Sequence, residues 1–314
     1  MARTVRVRST TWLAEGVVQV EFRDPAGGEL PRWEPGAHLS LRLGNGLVRQ
    51  YSLCGDPAER DRWTVAVLRE PNSRGGSAWV HERLTAGTLV EVEGPQNNFA
   101  LEGAERHLLI AGGIGVTPLR AMAGQLDGDD ADWRMVYCGR SRSGMAFVDE
   151  LAELGGHRVR VHADDEHGGP PDLTGELAGL APGTLVYCCG PEPLLNAVEA
   201  ALPDSADLRV ERFRAPERSA AAAPDADSFD VVCASSGVRV PVGADRSVLE
   251  VLDEAGVAVP SSCQEGICGT CETKVLSGSP DHRDFVLSPA EQESGNTMMI
   301  CVSRCRSAEL VLDL

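Results

Sequence analysis

The segment SSCQEGICGTCETKVLSG, residues 261–278, sets Cys263, Cys268 and Cys271 in a C-x4-C-x2-C run within a loop rich in glycine and serine. A fourth cysteine, Cys301, lies 30 residues after Cys271. Thiols crowded in this way form a disulfide knot, bind zinc, or hold an iron–sulfur cluster. A disulfide scaffold is short and cysteine-dense, whereas this chain spreads 10 cysteines over 314 residues. The N-terminal MARTVRVRST has no apolar core behind its arginines, so no secretory signal is expected and the cytoplasm is the default compartment. Zinc sites bring two C-x2-C pairs or a histidine pair, and His282 has no second histidine near it in sequence. C-x4-C-x2-C with a distant fourth cysteine is the plant-type 2Fe-2S spacing. Cys263, Cys268, Cys271 and Cys301 are therefore the expected metal ligands. Gly266 and Gly269 let the backbone wrap a cluster without a Cβ in the way. Cys305 lies off the pattern and reads as a buried structural thiol.

Three units are written into the chain. Residues 1–103 carry short alternating runs, GVVQVEF, AHLSLRLG, LVRQYSLCG, RWTVAVLRE and TLVEVEGP, as half-buried strands do. Gly44-Asn45-Gly46 between two of them predicts a hairpin closed by a tight primed turn. An antiparallel barrel is expected. From 104 to 214 the rhythm changes to strand, glycine turn and helix: RHLLIAGGIGVTPLRAMAGQL, WRMVYCGR, AFVDELAEL, HRVRVHADDE, GELAGLAP and TLVYCCGPEPLLNAVEAAL. That alternation predicts an open α/β domain with a parallel sheet. Residues 215–228 have linker composition, and 229–314 form the unit that holds the cysteine loop. The formal charge of −18 excludes a nucleic-acid backbone as partner. No apolar run approaches the roughly 20 residues of a membrane span.

DRSVLEVLDEAGVAVPSSCQEGICGTCETKVLSG followed by MMICVSRC resembles plant-type ferredoxins, which implies a β-grasp fold for 229–314. RQYSL, then SRGGS, then AGGIGVTP opening an α/β domain resemble the ferredoxin–NADP reductase superfamily. The order of flavin barrel, nicotinamide domain and C-terminal ferredoxin resembles the phthalate dioxygenase reductase family, which includes vanillate demethylase oxidoreductases. The resemblance implies that Arg49, Tyr51, Ser52 and Val67 line the flavin, with Ser52 reaching its N5 atom. It implies that Arg74, Gly75, Gly76 and Ser77 cradle the flavin phosphate, and that Phe213 in VERF covers the ring. Gly112, Gly113, Gly115, Thr117, Arg140, Gly190 and Pro191 are implied to meet the dinucleotide, and Cys189 in YCCGP to align the hydride path. Ser52 and Cys189 are thus the candidate catalytic residues. No adenine-binding extension follows Ser77, so FMN is preferred to FAD.

The resemblance implies an electron-transfer enzyme in which NADH, FMN and a 2Fe-2S cluster feed a separate oxygenase protein. The acceptor that the resemblance implies is a Rieske-type aromatic oxygenase or O-demethylase, with a haem-thiolate monooxygenase as the alternative; a non-catalytic redox sensor is a more distant alternative function. Arg140 and Arg142 suit a 2′-phosphate, but the acidic Asp164, Asp165 and Glu166 favour NADH. Glu265 and Glu272 beside the cluster loop offer a basic partner a docking charge. A monomer is expected.

Overall fold

In the computed structural model, which describes residues 2–71, 75–203, 205–215 and 228–314, the chain forms two compact units, Met1–Phe213 and Arg214–Leu314. The expected linker falls outside the described residues over 216–227.

The first unit begins with β1 (Arg3–Ala14), β2 (Val17–Arg23), β3 (Ala37–Arg42), β4 (Val48–Ser52), β5 (Trp63–Leu68), α1 (Gly76–Arg83) and β6 (Leu89–Asn97). The strands lie in the order β4-β3-β6-β1-β2-β5, each pair antiparallel. A bridge between Leu53 and Val65 joins the two edges. The sheet thereby closes as a barrel and leaves no open edge. Its interior is filled by the apolar half of each alternating strand, including Val5, Val20, Leu39, Leu41, Val65 and Val92.

The hairpin between β3 and β4 pairs His38 with Ser52 and Arg42 with Val48. Its turn differs from the expected one. Gly46 has φ +82°, but Asn45 keeps a negative φ, so the two-residue primed turn does not form. Gly46 N donates to Leu43 O at 2.9 Å, and Leu43 N donates to Leu47 O at 2.8 Å. This is a turn followed by a left-handed glycine, the longer hairpin solution. Asn45 holds it by donating from Nδ2 to Gly75 O and accepting from Leu47 N at Oδ1.

The same unit continues with β7 (Arg106–Gly112), α2 (Val116–Gly128), β8 (Trp133–Gly139), α3 (Val148–Gly155), β9 (Val159–Ala163), α4 (Asp164–His167), α5 (Leu173–Ala178), β10 (Thr184–Cys189), α6 (Glu192–Ala201) and β11 (Asp207–Glu211). All pairings in the sheet β11-β10-β7-β8-β9 are parallel. The chain reverses direction of growth at β7, which puts the ligand crevice at the carboxyl ends of β7 and its neighbours. Barrel and parallel sheet share one core: Ala14, Val17, Cys54, Ala66 and Phe99 pack with Val116, Leu119 and Met122 of α2. Arg120 of α2 ties the halves together, donating to Cys54 O and pairing with Glu150 of α3 at 2.6 Å.

The second unit holds β12 (Phe229–Cys233), β13 (Arg239–Val242), α7 (Val248–Glu254), β14 (Glu272–Ser277), β15 (Pro280–Asp281), α8 (Pro289–Ser294), β16 (Thr297–Met299), β17 (Arg304–Cys305) and β18 (Glu309–Leu312). The main sheet runs β13-β12-β18-β14-β16, with β12 and β18 parallel. Helix α7 starts on a reciprocal capping box between Ser247 and Glu250. Its Val248, Val251 and Leu252 are buried in the core with Val231 and Leu310. This mixed sheet with one packed helix is the expected β-grasp. No described helix is long and apolar enough to cross a membrane.

Candidate functional site

At the barrel end, α1 opens without a side-chain cap and with no acidic residue in its first turn. Its N-terminal amides therefore favour an anion. Gly75 precedes it with φ +95°. At Gly76 a Cβ would lie 2.6 Å from Arg49 Nε and 2.7 Å from its Cγ. The missing side chain is what lets the Arg49 stem cross the helix start. These residues form a cradle suited to a phosphate monoester. Ser77 takes a different part: its Oγ accepts from Glu70 N at 3.1 Å and closes the preceding loop. Arg74 lies outside the described residues. Val67 faces the barrel core, and its carbonyl accepts from His81 Nε2 at 2.9 Å.

Three strand ends converge beside this cradle. Ser52 closes β4, Cys189 closes β10, and Glu211 closes β11 directly opposite Cys189 in the parallel ladder. Ser52 Oγ donates to Glu211 Oε2 at 3.5 Å, and Cys189 Sγ stands 4.0 Å from the same oxygen. Glu211 keeps partial exposure as a residue, but its carboxyl sits out of water and is pushed up to about 8. Burial, with Glu211 adding, raises the Cys189 thiol well above its ordinary range. Cys189 is therefore a neutral, polarisable wall and not a thiolate nucleophile. Burial likewise holds the Tyr51 phenol neutral. His38, opposite Ser52 in the ladder, is lowered to about 4 by burial, and its Nε2 has no partner among the described residues. An orphaned buried nitrogen beside Ser52 is what a polar ligand such as a flavin ring would satisfy.

The AGGIGVTP turn joins this group through its glycines. A Cβ on Gly115 would lie 2.2 Å from Cys189 O, and one on Gly112 would lie 2.7 Å from Pro191 Cδ and 3.2 Å from Gly190 Cα. The ends of β7 and β10 thus touch only because side chains are absent. Gly113, at φ +53°, has open space around its Cβ position and offers the approach a dinucleotide needs. Thr117 is only 2% exposed, and its hydroxyl donates to Ile114 O at 2.9 Å, stabilising the turn itself. Pro191 caps α6. Arg140 is exposed beyond β8. Phe213 is 39% exposed at the end of its unit. Glu211 and His38 were not among the residues singled out from sequence. Nothing local in VERF marks its glutamate as buried.

In the second unit the four expected ligands meet. Cys263 is held low, accepting from Cys268 and Cys301, with Glu265 N at 3.3 Å also donating. Cys301 is pushed up, because it donates toward Cys263 and Cys271. The contacts run Cys268–Cys263–Cys301–Cys271, so each of the four thiols touches at least one of the others. His282 Nδ1 stands 3.7 Å from Asp284 Oδ1. Gly266 and Gly269 both take φ +73°. At Gly266 a Cβ would meet Val302 Cγ2 at 2.6 Å, so protein packing, besides cluster clearance, demands glycine there. Cys305 is half-buried, not buried as expected, because it lies on the two-residue β17 with Sγ 3.0 Å from Ser307 Oγ.

Two stretches of the chain match known domain families. Residues 109–200 match the oxidoreductase NAD-binding domain and residues 231–306 the 2Fe-2S iron-sulfur cluster binding domain. The chain is 46% identical over 316 residues to the phenoxybenzoate dioxygenase subunit beta of Ectopseudomonas oleovorans, covering 99% of this chain and 97% of that protein. The structure of a phthalate dioxygenase reductase, described as modular for electron transfer from pyridine nucleotides to 2Fe-2S, aligns over 100% of this chain and 98% of its own at 40% identity and TM-score 0.72. An intact type IV self-sufficient cytochrome P450 monooxygenase aligns at 44% identity and TM-score 0.91, but this chain spans 41% of that longer one.

Proposed function

This chain belongs to the phthalate dioxygenase reductase family, and from that premise we propose that it oxidises NADH and delivers the electrons singly to a separate oxygenase. Bound FMN and the 2Fe-2S cluster supply the conversion of a hydride's electron pair into one-electron steps. The observation that carries the reading is the meeting of Ser52, Cys189 and Glu211, which joins the barrel's flavin-type strand end to the dinucleotide edge of the parallel sheet.

Arg49 and the first amides of α1 hold the flavin phosphate. Gly112, Gly113 and Gly115 let the dinucleotide backbone approach β7 closely. Cys189, neutral and fully buried, packs as an apolar wall and leaves the hydride path free of competing charge. Ser52 Oγ is the hydroxyl positioned to bond the flavin edge, and Glu211 orients it while holding a proton through neutral pH. Positioning of this kind, with no strong acid or base, dominates hydride transfer. Cys263, Cys268, Cys271 and Cys301 hold the cluster. The reading takes the chain to be a cytoplasmic monomer whose acceptor is a Rieske-type oxygenase or O-demethylase. The similarity to a self-sufficient P450 favours a haem-thiolate monooxygenase as the second acceptor class.

Purified protein assayed for flavin, iron and sulfide, then titrated with NADH without oxygen, tests all three parts. One FMN and two irons per chain, both bleached by NADH, with rapid cytochrome c reduction, are expected. A preparation that binds flavin and iron yet reduces cytochrome c no faster than free flavin would leave only a sensor role.

A further inference from the structure

The second unit holds a cavity of about 630 Å³ between the turn Gly278–Pro280 and the C-terminal half of α8, a size that small ligands fill. His282 lines it. Its side chain is only 8% exposed, and both ring nitrogens are buried without a hydrogen-bond partner among the described residues. Nδ1 stands 3.7 Å from Asp284 Oδ1, too far for a bond. The Asp284 carboxyl is taken up elsewhere, accepting from Val286 N, Leu287 N and Ser303 Oγ. A buried imidazole left in this state costs stability unless a group from outside the chain completes it.

Arg306, with a side chain 70% exposed, reaches the same cavity. Its Nε and Nη2 donate to Asp281 Oδ1, while Arg283 holds Asp281 Oδ2. One carboxylate therefore serves two guanidiniums, and Arg306 Nη1 makes no hydrogen bond among the described residues. Glu293 is the one acid that lines the cavity, and it is exposed to water. An unbonded imidazole and a guanidinium with spare N–H groups together match a carboxylate, whose two oxygens accept from both. The segment that carries His282 also backs the cluster loop. Phe285 N donates to Gly266 O at 2.9 Å, and Asp284 Cα lies 3.2 Å from the Cβ position of Gly266.

We propose that the cavity at His282 and Arg306 is a carboxylate-binding site beside the cluster loop, filled by a free organic acid or by an acidic side chain of a protein docked there. Both sources present the same group to the same two donors. The assignment goes beyond the reductase reading and stands apart from it, because neither residue holds flavin, nicotinamide or iron.

The test melts the oxidised holoprotein by scanning calorimetry in sodium succinate and in sodium chloride at matched ionic strength, and then in chloride with a short polyglutamate peptide. Succinate should raise the melting temperature of the natural protein above its chloride value. His282→Leu fills the space without an orphaned nitrogen, so it should melt higher than the natural protein in chloride and gain nothing from succinate. His282→Gln, which keeps a donor, should retain part of the gain. Arg306→Ala should bind succinate about tenfold more weakly in isothermal titration, the loss of one charge-assisted contact. A larger gain from the peptide than from succinate at equal carboxylate concentration assigns the site to a docked protein, and the reverse assigns it to a free acid. An equal succinate gain in His282→Leu is a general salt effect and overturns the assignment. So does the absence of any gain in the natural protein. Chloride melts of His282→Leu and His282→Gln that both fall below the natural one overturn it too, since His282 would then be satisfied within the fold. None of these readings uses NADH or turnover, so failure of the reductase reading would leave them intact.

Discussion

Ser52 and Glu211 stand 159 residues apart in sequence and meet at 3.5 Å between Oγ and Oε2. One ends a barrel strand and the other an edge strand of the parallel sheet, so the contact exists only when both halves are folded onto each other. Ser52's bond holds the Glu211 carboxyl lower than burial alone would put it. The pair is thus a hydroxyl oriented by a carboxyl that itself stays largely protonated at neutral pH.

Ser52→Ala should slow NADH-dependent flavin reduction by about tenfold or more, the loss typical of one positioned proton-bearing group, while FMN content stays near one per chain. Stopped-flow rates equal to those of the natural protein would remove Ser52 from the mechanism.

Glu211 makes stability fall with pH. The usual carboxylate value of 4.5 rises to about 8 on folding. Between those values the unfolded chain has released the proton and the folded chain has kept it, so stability declines as pH rises. Glu211→Gln removes this decline. The variant's melting temperature relative to the natural protein should climb by about 10 °C between pH 5 and pH 8, since the shift is worth about 3.5 kcal/mol over that range at about 2–4 °C per kcal/mol. Parallel melting profiles across that range would show that the carboxyl is not held protonated.

Two glycines should answer alanine differently. At Gly115 the new methyl meets the Cys189 carbonyl, which is backbone and cannot step aside. A loss of about 1–3 kcal/mol in denaturant melts is expected, together with failed reduction by NADH. At Gly76 it meets only the Arg49 side chain. Gly76→Ala should keep global stability and loosen FMN by about tenfold, the loss of one charge-assisted contact. Flavin retention in Gly76→Ala equal to the natural protein's would detach Arg49 from the phosphate.

Cys301→Ser should remove iron and sulfide while flavin reduction by NADH persists, because Arg49, Ser52, Cys189 and Glu211 all belong to Met1–Phe213. Cys305→Ser should retain two irons per chain. Iron assays with the two results reversed would reassign the fourth ligand.

The cysteine spacing, the strand alternation and the change of rhythm near residue 105 are local signals. Each reports a period or a ligand separation that the backbone must satisfy wherever the segment ends up. The barrel, the parallel sheet and the thiol quartet were legible for that reason. The 12-residue β1 escaped notice, since its arginines mask a strand that only pairing with β2 and β6 reveals. The Gly44-Asn45-Gly46 turn was placed correctly, but its type was decided by Asn45 reaching across to Gly75.

The sequence by itself determined which residues could ligate iron, where most strands and helices fall, and where glycine was indispensable. Tertiary structure alone decided that Glu211 would be buried against Ser52 and Cys189, that Thr117 and Ser77 would hold their own loops, and that Asp165 would clasp the Arg140–Arg142 loop. The reason is physical. Periodicity and spacing act through neighbouring residues of one segment, whereas desolvation of a carboxyl depends on side chains far along the chain closing over it.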